Sequence, residues 1–336
     1  MQINARRDPG LVRPCAAQPV ECAPATMNES IAPDLPVPLP FLGALRVTGP
    51  DALSFLQGQL TSDVRLLADG RTQLAALNTP QGRVVALLRL RLVDGTVYAL
   101  MPSELLEPVS ALLRRFVLRS KVQLQVAMEL QVGWAGTGAV PPTTGAGDRG
   151  RAHSTSPMPN AAAPSAVTFD YAPGRRVFAA AADPWRSITG SDPLPAHPGV
   201  RNQWLALDIA DGLPQVFAAT SGAFVPQMLN LDLLDAISFT KGCYTGQEIV
   251  ARTQHLGRIK RRLLGYRLPP GPVPSPLAGL FLDSTKVAEV VMSAGLDDGV
   301  HLLAVTSLEA LGSALRTADG RAAQPVELPY PVATHD

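Results

Sequence analysis

The sequence predicts an α+β fold with a β-rich C-terminal region, and three features carry that expectation. Leu88, Leu90 and Leu92 alternate with Arg89 and Arg91, the pattern of a strand with one buried face and one wet, basic face. Leu105, Leu106, Val109, Leu112, Leu113 and Phe116 recur at helical spacing. Short turns such as Asp94-Gly95 join neighbouring apolar runs, which favours antiparallel hairpins over the long crossovers of a parallel sheet.

Composition bounds the reading further. With 336 residues and 46% hydrophobic content, the chain can form about two domains with sizeable cores. Lys and Arg total 29 against 28 for Asp and Glu, so no global field selects nucleic acid, a membrane surface or acidic partners. Three cysteines do not make a disulfide framework, and the expected setting is a reducing compartment, the cytoplasm. Arg6-Arg7 leads into Asp8-Pro9-Gly10 and no apolar core, so neither a secretory nor a twin-arginine signal is expected. No stretch approaches the roughly 18 apolar residues of a membrane span.

Residues 1–40 are rich in Pro and Ala without hydrophobic periodicity and read as a disordered leader, within which Met27 is a candidate translation start. Order is expected from Gly43-Ala-Leu-Arg-Val-Thr48, a strand, followed by a helix over 49–57 with Pro50 at its first position. Gln73–Leu77 and Val84–Val93, joined by Thr79-Pro-Gln-Gly82, form a hairpin that Thr96–Met101 extends. Ser103 is a candidate N-cap for a helix running to about Leu118. Val122, Leu124, Val126, Met128, Leu130, Val132 and Trp134 alternate almost without error, which predicts one long half-buried strand.

From Gly136 to about Ala166 the composition is that of a flexible insertion. Structure resumes at Val167–Tyr171, Arg176–Ala179 and Trp204–Ile209, and Pro226–Asp235 reads as a helix. The run Pro269–Pro276 resembles a linker, so the expected organisation is a leader over 1–40, an α+β region over 41–268 and a β-barrel over 269–336.

The chemistry concentrates at Lys241-Gly-Cys-Tyr-Thr-Gly-Gln-Glu248. Thr245 and Glu248 have capping-box spacing, which predicts a helix from Gly246 to about Leu256. Cys243 then precedes a helix N-terminus and follows Lys241, two positive influences that favour the reactive thiolate. No Cys-x-x-Cys pair or nearby Cys/His cluster exists to hold zinc or an iron–sulfur cluster, and His255 lies roughly three helical turns away. A thiol–imidazole pair would need His197 or His301 brought in by the fold. Arg258-Ile-Lys-Arg-Arg262 with Arg252 and His255 reads as a solvated basic patch, RNA binding being the minority reading. Gly136-Thr-Gly138 lacks the context of a dinucleotide fingerprint, and no P-loop is present.

Lys241–Glu248 closely resembles the signature of the YgfZ family, folate-binding proteins related to the glycine-cleavage T-protein aminomethyltransferases. Leu45–Ala52, Phe55–Asp63, Phe116–Val122 and Ser221–Gln227 are also family-like. The resemblance implies an aminomethyltransferase-like fold around a central folate pocket, with a C-terminal β-barrel. It implies a non-covalently bound tetrahydrofolate or folate derivative, and an accessory role in iron–sulfur cluster assembly or maintenance that supports cluster-dependent enzymes, including tRNA-modifying ones. Iron–sulfur enzymes or cluster-assembly proteins are the implied partners, without direct nucleic-acid binding. Carried over by position, Cys243 is the functional thiol with Lys241 beside it. Trp204 takes the place of a folate-contacting tryptophan, and Lys241, Gly242, Tyr244, Gly246, Gln247 and Glu248 line the cofactor.

Two departures qualify the resemblance. Aminomethyltransferases carry an acidic residue on the strand after a Gly-Gly pair, whereas Gly82-Arg-Val-Val-Ala-Leu-Leu88 is apolar at Ala86 and Leu87, leaving that proton chemistry without an agent. Leu42 stands near where some family members have a second pterin-facing tryptophan. Whether the chain catalyses a reaction therefore stays open, with a folate-dependent one-carbon transferase as the alternative to the accessory role.

Overall fold

The computed structural model describes residues 37–135, 166–173, 175–181, 198–255 and 259–332. The expected leader up to residue 36, most of the insertion, His197 and Arg258 lie outside the described residues.

Val37–Pro38, inside the stretch expected to be leader, forms β1. Leu42–Thr48 (β2) follows, and α1 is Ala52–Gln57, with Pro50 ahead of the helix and Asp51 at its N-cap. Gln73–Asn78 (β3), Val84–Val93 (β4) and Thr96–Pro102 (β5) pair as successive hairpins. The Asp94-Gly95 turn has φ of 46° and 76°, the left-handed pair that a tight hairpin between twisted strands requires. Leu106–Arg114 is α2. It is shorter than expected at both ends: Ser103 begins a single 3-10 turn and caps nothing, and Phe116 and Leu118 lie beyond the helix, exposed.

The long strand expected over 122–134 is two strands. Gln123–Val126 (β6) pairs with β2, and Gln131–Ala135 (β7) belongs to another sheet. The tight turn between them closes with Leu130 N–H donating to the Ala127 carbonyl at 3.0 Å and leaves Met128 exposed. Alternation survives a turn of even length, so the pattern alone could not reveal the break.

Ala166–Ala172 (β8) and Arg175–Ala180 (β9) complete the second sheet, ordered β1-β7-β9-β8; the first is ordered β3-β4-β5-β2-β6. The first sheet is covered on both faces. One face, with α1, α2 and part of the barrel, forms the larger core around Leu77, Leu88, Leu90 and Val109. The other, carrying Tyr98 and Leu100, packs on Phe169, Tyr171 and Trp134 of the second sheet. Arg89 pairs in register with Leu100 and therefore shares this second face. The wet face expected at Arg89 is corrected accordingly: the residue is 4% exposed because the second sheet lies over it.

Pro198–Ala210 (α3) sends Trp204 into the core between the sheets and Leu205 and Ile209 into the larger core. Pro226–Asp235 is not a helix: a 3-10 turn, Pro226–Leu229, ends at Asn230 with φ 56°. Gln247–His255 (α4) follows the motif. Arg261–Leu268 (β10), Gly279–Leu282 (β11), Thr285–Leu296 (β12), Gly299–Ser307 (β13), Leu315–Thr317 (β14) and Ala322–Val326 (β15) close a barrel ordered β10-β13-β12-β11-β14-β15. The barrel starts at Arg261, so the Pro269–Pro276 run is a connection within it.

The supposed basic patch divides in two: Arg261 ties two strands of the barrel together, and Arg262 attaches the barrel to the loop before the motif. Arg261 pairs with Glu289 at 3.5 Å, and Arg262 donates to both Asp232 oxygens at 2.6 and 2.9 Å and to the Gln227 carbonyl at 3.1 Å. The Arg262 and Asp232 side chains are 4% and 6% exposed. Asn230 bonds both the N–H and the carbonyl of Leu263, extending the barrel's pairing into the loop that precedes the motif. Removing one partner of a buried pair strands the other charge, so Asp232→Ala should lower unfolding free energy by about 3–5 kcal/mol in urea denaturation, while Asp232→Leu with Arg262→Met recovers most of the loss.

Candidate functional site

Two neighbouring features make up the candidate site: the loop Lys241–Gly246 and a cavity between the two sheets. Lys241 is 5% exposed, and its Nζ donates to the carbonyls of Leu60 at 2.7 Å and Ser62 at 2.8 Å. Its ammonium is also 5.1 Å from the centre of the Tyr244 ring. These bonds fix the loop to the segment that follows α1, where Ser62 and Thr61 in turn donate to the Ala236 carbonyl at 2.9 and 2.6 Å. Burial lowers the Lys241 pKa to about 8, opposed by Asp63 and assisted by Arg65. Burial likewise pushes Tyr244 up to about 12.

Gly246 has φ 80°, and a Cβ there would sit 2.6 Å from the Thr79 carbonyl and 2.9 Å from the Gly82 Cα. Gly82, at φ 69°, would itself meet Ile249 at 2.8 Å. Two glycines thus let the motif and the β3–β4 hairpin tip touch backbone to backbone. Cys243 is exposed between buried Lys241 and Tyr244. The Thr245–Glu248 capping box is not formed: Gln247 Oε1 accepts from Tyr244 N–H at 3.2 Å, Thr245 donates to Gln59 Oε1 at 3.3 Å, and Glu248 is exposed. The backward-reaching side chain is one residue earlier than expected because Gly246 turns the chain left-handed. Gly242 is exposed, and His255 packs on Phe239 with ring centres 6.0 Å apart. His301 lies on the barrel beside Asp298.

The cavity, about 580 Å³, opens between β3, β4, β8 and the loops at Leu213 and Leu234. Arg89 and Tyr171 form its buried floor, the guanidinium 3.5 Å from the ring centre. Behind them stands a polar cluster. Arg175 Nη2 donates to Asp208 at 2.8 Å and Asp211 at 2.6 Å, Tyr171 donates to Asp208 at 3.0 Å, and Gln215 donates to both Tyr171 and Asp208. Burial raises the Tyr171 pKa and keeps the hydroxyl a donor. Trp204 is fully buried against this cluster, edge-on to Tyr171 at 4.7 Å and to Trp134 at 5.5 Å, with the Arg175 guanidinium 4.7 Å from its ring. It supports the cavity wall from behind and does not line it. Arg89, Tyr171, Arg175 and Asp208 were missed by sequence reasoning; the lone polar residues within apolar strand and helix patterns were the available signal. Ala86 and Leu87 are fully buried, with no carboxylate at either position.

An α+β pair of sheets, a closed C-terminal barrel and a cavity between the sheets define an aminomethyltransferase-like fold. The glycine cleavage system aminomethyltransferase T of Bartonella henselae shares this fold, with a TM-score of 0.64 at 15% identity over 88% of this chain and 85% of that one. No family model matches the chain. Curated relatives do: tRNA-modifying protein YgfZ of Klebsiella pneumoniae (strain 342) is 33% identical over 77% of this chain and 80% of its own. The protein of the same name from Edwardsiella ictaluri (strain 93-146) is 33% identical over 86% of this chain and 90% of its own. The chain belongs to the YgfZ family. Among the described residues no helix is long and apolar enough to cross a membrane, and no three His, Cys, Asp or Glu side chains gather as a metal site.

The two Lys241 bonds can be tested through pH. A neutral amine keeps two protons, enough for both carbonyls. Burial makes the folded chain release its Lys241 proton near pH 8, while the unfolded chain holds it to the ordinary 10.5. Stability from Lys241 is therefore smallest below pH 8, rises through the window from 8 to 10.5 and is fully present above it. The stability difference between the wild type and Lys241→Met, followed by chemical denaturation, should widen in favour of the wild type across that window; a difference that shrinks there contradicts the buried amine.

Proposed function

We propose that this protein binds tetrahydrofolate or a related folate and uses Cys243 to support the assembly or maintenance of iron–sulfur clusters in cytoplasmic enzymes, including enzymes that modify tRNA. The observation that carries this reading is an exposed thiol on a loop whose neighbours are locked, in a fold shared with an aminomethyltransferase. Soft thiolate ligands suit iron and cluster sulfides, and an exposed sulfur can approach a cluster held by another protein. Lys241 contributes by holding the loop, since its protons are committed to Leu60 and Ser62.

The cavity has the size of a small-molecule site and combines leucine walls and the Tyr171 ring with a few polar groups. A folate would enter between Leu66 and Leu234 toward Arg89 and Tyr171, with Trp204 setting the position of Tyr171. Gly242, Tyr244, Gly246, Gln247 and Glu248 act in this reading by shaping the thiol loop. Apolar Ala86 and Leu87 offer no acid to handle a folate-bound amine, which favours the accessory role over one-carbon transfer. The link to tRNA runs through enzymes, because Arg261 and Arg262 are occupied by Glu289 and Asp232 and do not form a free basic face.

In a bacterial strain lacking its own family member, wild type should restore activity of a cluster-dependent tRNA-modifying enzyme and Cys243→Ala should not, although both proteins bind tetrahydrofolate equally by tryptophan fluorescence. Full restoration by Cys243→Ala removes the thiol's role. Absence of binding up to about 1 mM tetrahydrofolate, an affinity too weak to matter, removes the folate.

A further inference from the structure

Three buried arginines divide unequally. Arg175 has Asp208 and Asp211, and Arg262 has Asp232. Arg89, 4% exposed, has neither a hydrogen bond nor an ion pair among the described residues; its close neighbour is the Tyr171 ring at 3.5 Å. A buried charge without a counter-ion is unfavourable, and stacking on an aromatic face offsets only part of that cost. Its side chain lines the cavity.

The acids at the cavity do not neutralise it. Asp170 is held by Arg176 at 3.2 Å and Arg91 at 3.8 Å, and Asp235 is exposed at the rim. Arg71, also at the rim, adds a second cation. Arg89 therefore presents an unpaired guanidinium at the floor of a site otherwise walled by Leu74, Leu213 and Leu234.

We infer that Arg89 is a carboxylate subsite: the cavity's ligand is an organic acid whose carboxylate accepts from the guanidinium while its apolar body lies along the leucine wall. The planar fork of an arginine matches a carboxylate with two parallel charge-assisted bonds, and fixing the guanidinium on Tyr171 orients the fork before the ligand arrives. Under the folate reading, on which only the ligand's identity rests, the acid is the p-aminobenzoylglutamate half, which carries a flat ring and two carboxylates.

Calorimetric titration of the purified full chain with 5-formyltetrahydrofolate, p-aminobenzoylglutamate and 6-methyltetrahydropterin, which lacks a carboxylate, tests this. Arg89→Met should weaken the two acids by about tenfold or more and leave the pterin unchanged, and Arg89→Lys, which keeps the charge without the fork, should fall between. Because Arg89 lacks a counter-ion, Arg89→Met without ligand should melt no lower than the wild type. A variant that binds p-aminobenzoylglutamate as tightly as the wild type, or that loses the pterin equally, overturns the subsite; in the first case undiminished 5-formyltetrahydrofolate binding leaves the folate reading intact. Arg89-dependent binding of p-aminobenzoylglutamate by a wild type that binds neither pterin compound keeps the subsite and removes the folate. If Arg89→Met does not fold, Arg89→Lys decides: equal affinity for both acids overturns the subsite.

Discussion

Burying charge between two sheets is the constraint on which the rest of this structure depends. The four-stranded sheet lies over the face of β4 that carries Arg89, and helix α3 brings Asp208 into the same interior. Neither residue could be accommodated by apolar packing alone. Tyr171, Arg175, Asp208 and Gln215 hydrogen-bond to one another behind the cavity, tying the second sheet to α3. Trp204 is wedged behind Tyr171 and holds the arrangement from the helix side.

The thiol loop is held by a second, independent set of contacts. Lys241 closes onto two carbonyls beyond α1, and Gly246 lies against the hairpin tip at Gly82. Polar bonds and backbone contact restrain both ends of the stretch, while the residue in its middle, Cys243, stays at the surface. The lysine that a linear reading places beside the sulfur as an electrostatic helper is, in three dimensions, a structural clamp. Two arginines of the 258–262 run change role similarly: Arg261 bridges two barrel strands, and Arg262 joins the barrel to the body.

Much of the architecture was legible because local patterns and tertiary packing agree over most of the chain. The hairpins β3–β4 and β4–β5, the α2 stripe, the helix after the motif and the β-rich C-terminus all follow from short-range periodicity and turn residues. Errors fell where one pattern serves two arrangements. Alternation from Val122 to Trp134 continues across the turn at Ala127–Leu130, so two strands of different sheets look like one. An apolar run from Pro226 to Asp235 reads as a helix until Asn230 takes a left-handed conformation to pair with Leu263.

By itself the sequence determined the α+β class, the presence of a C-terminal barrel, the family signature at Lys241–Glu248 and the absence of an acid at Ala86 and Leu87. These depend on residue identity and on neighbours a few positions apart. The tertiary structure alone decided that Arg89 is buried, that Lys241 holds backbone carbonyls, that Trp204 supports the cavity from behind, and that the barrel starts at Arg261. Each of those facts depends on which element covers a given face, a long-range outcome of packing that no local spacing encodes.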